Sequence, residues 1–437
     1  MERRPPGERG LMACVIVLAS VLAHSASALA EVPERLSLSS LVTEARERNP
    51  ELQAAQGRAR AMAAVPRQAA ALDDPTLSWE VWNAPKPYRI DRADNNIFRL
   101  SQKFPFPGKR RLAGKIATEE ALQASHEVES VELDVVTAVK RAYFDLWEAH
   151  ERLAVYTRER ELVERFTRIV EQRYGTGDAV QADVIRAQVE LTHLINRLQT
   201  ERLTIEQGEA ELNRLLSRPP ERPLGVPEPP PAPRLVSSPA DLTELALETR
   251  PDIAAQDMAI AREESAVQLA HRGYYPDFEV SFGRFVNFGA PDGFGAMASV
   301  TVPIFNGAKY GAAVNEASAR LGAARSDKRR IEDGVRLDVE QTYLRARTAL
   351  LQFELFVGTH VPQAEQALRV TEGGYEAGEV PFLDVVDTLR SIESVHLDHI
   401  AAQAEFERAY ADLERAVGRE LPRDAAPGSA PAERGYP

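Results

Sequence analysis

The chain has one cysteine, Cys14, and only 7% aromatic residues among its 437. Cys14 falls within an amino-terminal leader, so the mature chain is expected to have no disulfide and no thiolate chemistry. Stability must then come from packing. Beyond the leader there is no run of roughly 18 apolar residues, which excludes a transmembrane helix and leaves a β-barrel open. No basic patch dominates any segment, and a net charge of -13 argues against a nucleic-acid partner. A nucleophile motif, a phosphate loop and a convergent acid–base pair are all lacking, so no enzyme is expected. The histidines are dispersed. Only His396 and His399 fall at helical spacing, with Glu393 one turn earlier, and a solvated face or seam accounts for them as well as zinc does. No metal and no cofactor are expected.

The leader itself reads as an export signal over residues 1–30. Arg3, Arg4 and Arg9 precede the apolar stretch Leu11 to Ala23, and Ala28-Leu29-Ala30 forms a cleavage site before Glu31. Leu11-Met12-Ala13-Cys14 superficially matches a lipoprotein box, but no apolar region precedes Cys14.

What the sequence has is a duplication. Pro50 recurs as Pro251, Pro75 as Pro276, Tyr174 as Tyr375, Gly177 as Gly378, Asp183 as Asp384 and Leu212 as Leu413, an offset of about 201 residues. Two repeats are expected, 31–218 and 240–420, joined by a Pro-rich linker over 219–239 and followed by a disordered tail over 421–437. Each repeat places a period of two between helical stretches. Helices are expected near 38–70, 109–173 and 180–217, then near 240–272, 309–373 and 382–418. The span 109–173 contains no proline and one glycine, so it reads as a single helix roughly 100 Å long. The two shorter helices of the repeat, end to end, match it in length. Val184, Leu191, Leu198, Ile205 and Leu212 fall seven apart, as do Val385, Ile392, His399, Phe406 and Leu413. A single bundle of that length would leave most of its sides unpacked, so oligomerisation is expected.

Four strands of about ten residues alternate apolar and polar side chains, long enough to cross a bilayer when tilted. Leu77, Trp79 and Val81 mark the first, Phe98, Leu100 and Phe104 the second. Phe278, Val280, Phe282, Val286 and Phe288 mark the third, and Phe294 to Ile304 the fourth. Four strands cannot close a membrane barrel, since the smallest need about eight. Three chains would supply twelve.

Two duplicated corners complete the pattern. One is Phe104-Pro105-Phe106-Pro107-Gly108-Lys109-Arg110, answered by Val302-Pro303-Ile304-Phe305-Asn306-Gly307-Ala308. The other is the segment from Arg173 to Val184, RYGTGDAVQADV, answered by GYEAGEVPFLDV from Gly374 to Val385. With these residues the chain resembles the TolC-type outer membrane factor family over nearly all of its mature length. The resemblance implies a mainly α fold with a small β part. Duplicated long-helix hairpins would form a trimeric α-barrel across the periplasm, and four strands per chain a twelve-stranded barrel in the outer membrane of a Gram-negative bacterium.

It also implies a passive exit duct of a tripartite efflux system. Its partners would be a homotrimer mate, a periplasmic adaptor, an inner-membrane RND-type pump and outer membrane lipid. The first corner looks most like the CzcC branch, which serves heavy-metal efflux. Multidrug efflux and type I protein secretion are the alternatives, and a non-pore periplasmic scaffold or adaptor is the alternative of another class. The family places the Tyr-x-x-Gly turns, with Tyr174, Gly177, Tyr375 and Gly378, at the periplasmic end. Asp183, Asp384 and Asp387 match acidic constriction positions there, and three copies of each would form carboxylate rings. The same acids also suit the first turn of a helix, where they favour the macrodipole. Val380-Pro381 stands where the family often has a basic or polar residue, and Arg186 is a substitute partner for Asp183. Pro105, Gly108, Pro303 and Gly307 turn strand into helix.

Overall fold

The computed structural model describes residues 35–84, 86–87, 90–304 and 307–423. The expected leader with Cys14, and the tail from 424, lie outside the described residues.

Each expected first helix is in fact two. Helix α1 spans Leu38–Arg48 and α2 spans Pro50–Ala69. The break follows from Pro50: its ring pushes the preceding residue out of the helical region, and Asn49 adopts ψ 124°. Asn49 then caps α2, accepting from the backbone N–H groups of Glu51 and Leu52 and donating Nδ2 to the carbonyl of Leu215 at 2.9 Å. The second repeat breaks at the equivalent point, between α5, Pro239–Thr249, and α6, Pro251–Arg272. There Arg250 precedes the proline with ψ 125°, and its guanidinium reaches Asp252 at 2.6 Å and Asp338 at 3.3 Å.

Helix α3, Lys109–Thr176, runs unbroken for 68 residues, about 100 Å. Its duplicate does not. Helix α7, Gly307–Leu355, gives way to a π turn at Phe356–His360, and α8, Val361–Ala377, continues beyond it. Pro362 is the cause: it donates no N–H and crowds the carbonyl four residues back, at Gly358, inside the widened turn. Helices α4, Gln181–Leu215, and α9, Phe382–Val417, complete the two hairpins.

The helices form a ribbon one helix thick. Near the helix–helix turns its order is α4, α3, α9 and then α7/α8; near the sheet it is α2, α3, α6, α7. Helix α3 lies inside the ribbon throughout, so α2/α4 form one free edge and α7/α8 the other. The core runs along α3. Val135, Val139, Tyr143 and Leu146 pack on Leu41 and Ala45 of α1 and on Ile205 and Leu212 of α4. Nearer the turns Val163, Phe166 and Val170 pack on Ala187 and Leu194 of α4 and on Phe382 and Val385 of α9. The inter-repeat linker crosses α3 at mid-length, where the Tyr143 hydroxyl donates to the carbonyls of Leu36 and Glu228.

The strands make one antiparallel sheet in sequence order: β1, Thr76–Trp82; β2, Asn95–Phe104; β3, Asp277–Asn287; β4, Gly293–Thr301. The last strand stops at Thr301, short of the expected Val302 and Ile304, because Pro303 cannot donate to a ladder. Strands β1 and β4 are open edges.

Candidate functional site: the sheet and the helical tips

The sheet register separates two chemistries. Leu77, Leu100, Phe282 and Ala296 stand opposite one another across the four strands, and Trp79, Phe98, Arg284 and Phe294 form the next rung, where Arg284 lies 6.0 Å over the Phe294 ring and pairs with Asp292 at 3.0 Å. Most of the large apolar side chains of this face are exposed in the single chain, with Leu77 at 74%, Phe282 at 64% and Phe294 at 84%. A soluble protein does not leave such a surface to water. The opposite face carries Ser78, Arg99, Ser101, Lys103, Glu279, Ser281 and Ser299, with Ile97, Phe285 and Met297 among them, and Arg99 pairs with Glu80 at 2.9 Å. Apolar outside and polar inside is the alternation of a membrane barrel wall.

The strand–helix corners differ from each other. Gly108 adopts φ 98° as the residue before α3, a left-handed conformation that favours glycine. Gly307 is the first residue of α7. Phe305 and Asn306 of that corner lie outside the described residues. Asp277 clamps the first corner to the second repeat. One of its oxygens accepts from the Phe106 N–H at 2.8 Å and from Lys109 Nζ at 2.8 Å.

At the other end the helix–helix turns are built alike. Gly177, φ 86°, and Gly378, φ 78°, end α3 and α8. In each, the residue after the glycine donates its N–H back to a helix carbonyl at 2.8 Å, Asp178 to Arg173 and Glu379 to Gly374. The tyrosines part ways. Tyr375 is 4% exposed, packed on Phe166 and Phe382, and burial raises the pKa of its hydroxyl. Tyr174 is 48% exposed.

Arg173 joins the two turns, and sequence reasoning left it without a role. Its Nη1 donates to the Tyr375 carbonyl at 2.7 Å, and its guanidinium lies 5.0 Å over the Tyr375 ring. The signal was in the duplication itself: the residue 201 positions on from Arg173 is Gly374. A Cβ at Gly374 would meet Val380 at 2.5 Å, so the second turn has no room for a side chain where the first has its arginine.

Asp183 and Asp384 lie in the first turns of α4 and α9, where neither supplies the cap; Val180 and Pro381 hold those positions without side-chain bonds. Asp183 pairs with Arg186 at 3.1 Å. Asp384 and Asp387 are exposed, and among the described residues neither makes an ion pair. About two to four turns further in, salt bridges tie α4 to α9 across α3: Glu190 with Arg390 at 2.7 Å, and Arg197 with Glu393. Between them Glu159 of α3 is buried, and that burial pushes its carboxyl up to about 8 against the pull of Arg197 and Arg158. Glu393 is thus engaged by an arginine, and His399 stacks on Phe353. Among the described residues no cluster of acids, histidines or cysteines is arranged to hold a metal ion.

An apolar sheet face turned outward, a polar face turned inward and a ribbon of helices about 100 Å long define a barrel-forming protein that carries a long helical extension. The outer membrane efflux protein family matches residues 41–218 and 242–419, and the chain belongs to it. It is an outer membrane channel with its helices in the periplasm, of a family of passive channels rather than enzymes. It is 24% identical over 361 residues to the cobalt-zinc-cadmium resistance protein CzcC of Cupriavidus metallidurans, covering 80% of this chain and 82% of that one. It is 24% identical to the pyoverdine export outer membrane protein OpmQ of Pseudomonas aeruginosa, covering 73% of this chain and 67% of that one. The crystal structure of CusC superposes with a TM-score of 0.76 at 17% identity, covering 90% of this chain and 96% of that one. The fold is that of the trimeric TolC-type channels.

Proposed function

We propose that the protein is the exit duct of a tripartite heavy-metal efflux system, passive in itself and working with a periplasmic adaptor and an RND-type inner-membrane pump. The likeness to CzcC over four-fifths of both chains carries the cargo assignment, with the first strand–helix corner in support. The duct reading draws on the two free edges of the ribbon and of the sheet. Leu337, Leu344 and Leu351 lie exposed seven apart on α7, and Ile185, Val189 and Leu203 lie exposed on α4. Rotated copies bring one edge against the other, and three sheets of four strands close a barrel of twelve.

The tips are the gate in this account. Threefold symmetry makes rings of Asp183, Asp384 and Asp387 around the axis, and rings of carboxylates attract and select cations. Arg186 tempers the first ring, and Arg173 holds the two hairpins of one chain together. The likeness to the pyoverdine exporter keeps organic cargo as the second reading.

Growth of a strain lacking the gene, with and without complementation, across zinc, cobalt, cadmium, copper and silver beside hydrophobic antibiotics and bile salts tests the cargo. Sensitivity confined to metals is the expected result. Sensitivity confined to the organic compounds would contradict it.

A further inference from the structure

The sheet end of the helical ribbon carries a concentration of positive charge in a chain whose net charge is -13. The run from Lys103 to Lys115, with five cations and no acid, is a short local exception to a sequence in which no longer segment is dominated by basic residues. Two cations of this collar stand on aromatic rings instead of carboxylates. Arg272, at the end of α6, lies 5.4 Å from the Tyr275 ring and 5.9 Å from that of Phe106, which stack on each other at 4.6 Å. Beside them Lys309 of α7 lies 5.5 Å over Tyr310, whose ring meets Tyr274 at 5.5 Å. Among the described residues neither Arg272 nor Lys309 forms a salt bridge, whereas Lys109 close by is spent on Asp277. Tyr274 and Tyr275 are exposed at 45% and 46%. The cluster begins one turn of chain beyond the lipid-facing rung of Phe104, Phe278 and Val300.

From this arrangement we infer that the collar binds the phosphate headgroup of an anionic phospholipid in the periplasm-facing leaflet of the outer membrane, with Arg272 and Lys309 as the phosphate ligands. The aromatic rings hold both cations at the level where an apolar wall meets the headgroups, and tyrosine suits that boundary because one end is apolar and the other wet. The cations then meet phosphate at the depth where acyl chains end. Phospholipid is favoured over other anions by continuity: the site adjoins the membrane face and lies on the side from which the helices leave.

The inference rests on the outer-membrane placement of the sheet, and its test keeps the two apart. The assembled full-length channel is inserted into vesicles of equal phosphatidylglycerol and phosphatidylcholine, extracted, and its retained lipids are counted by native mass spectrometry. We expect phosphatidylglycerol to be enriched about tenfold over phosphatidylcholine on the wild type. Arg272→Gln with Lys309→Gln returns the ratio to that of the vesicle, and Arg325→Gln, an exposed arginine farther along α7, leaves the enrichment unchanged. Retention in the bulk ratio by an inserted wild-type channel overturns the inference while leaving the channel intact, as does undiminished enrichment on the double variant. Should the double variant not assemble, the wild type decides: enrichment that falls as salt is raised supports the site, and enrichment indifferent to salt counts against it. A chain that does not insert at all overturns the membrane placement itself.

Discussion

Glu159 shows how much one residue's environment decides. Its carboxyl ordinarily titrates near 4.5, and burial in the folded protein raises that to about 8. The unfolded chain therefore releases the proton above pH 4.5, whereas the folded chain holds it until about pH 8. Ionisation favours the unfolded state across that window, so stability falls as pH rises through it and the penalty is complete above about pH 8. Glu159→Gln removes the ionisable proton and keeps the shape. Thermal melts of the variant should match the wild type near pH 4.5 and lie above it at pH 8.5; parallel melting curves at both pH values would contradict the assignment. Nothing in the linear sequence marks Glu159, because its burial arises only where α3, α4 and α9 meet. Asp183 and Asp384 were legible, since the duplication picks them out. Their surroundings were not: Arg186 does pair with Asp183, but Asp384 has no ion-pair partner among the described residues, because the equivalent position, Asp387, is another acid.

At the scale of elements, periodicity carries most of the information. The period of two that marks β1 to β4 also sorts their faces, and the observed register places Leu77, Leu100 and Phe282 in one rung on the lipid side. Phe282→Arg puts a charge on that face near mid-strand, at a cost of about 2–4 kcal/mol, whereas Ser299→Arg adds the same charge to the polar face. The first should cut the amount of folded channel recovered from outer membranes severalfold and the second should leave it near wild type; equal recovery would mean that the faces are assigned the wrong way round. Helix breaks were harder to see. Pro50, Pro251 and Pro362 each stand in a helical pattern, but only the first two end a helix. Each of those has an extended residue before it, Asn49 or Arg250, whose side chain bonds across the ribbon. Pro362 has no such neighbour, and the chain absorbs it in a π turn and goes on.

At the scale of the whole molecule, a single chain is an open structure. Among the described residues its sheet has two unpaired edges and its ribbon two free ones, and the exposed seam of Leu337, Leu344 and Leu351 has no partner there. Leu344→Arg with Leu351→Arg places two charges in that seam, and the heat-sensitive trimer band on gels should then give way to monomer. A trimer undisturbed by both charges would move the interface elsewhere. The central claim is that three copies make a gated duct. Planar-bilayer recording of the purified trimer tests it directly, with the Asp183→Ala and Asp384→Ala double variant as comparison. The account predicts discrete conductance steps, larger in the variant and less blocked by divalent cations; a wild type and variant that both fail to conduct after insertion would contradict it.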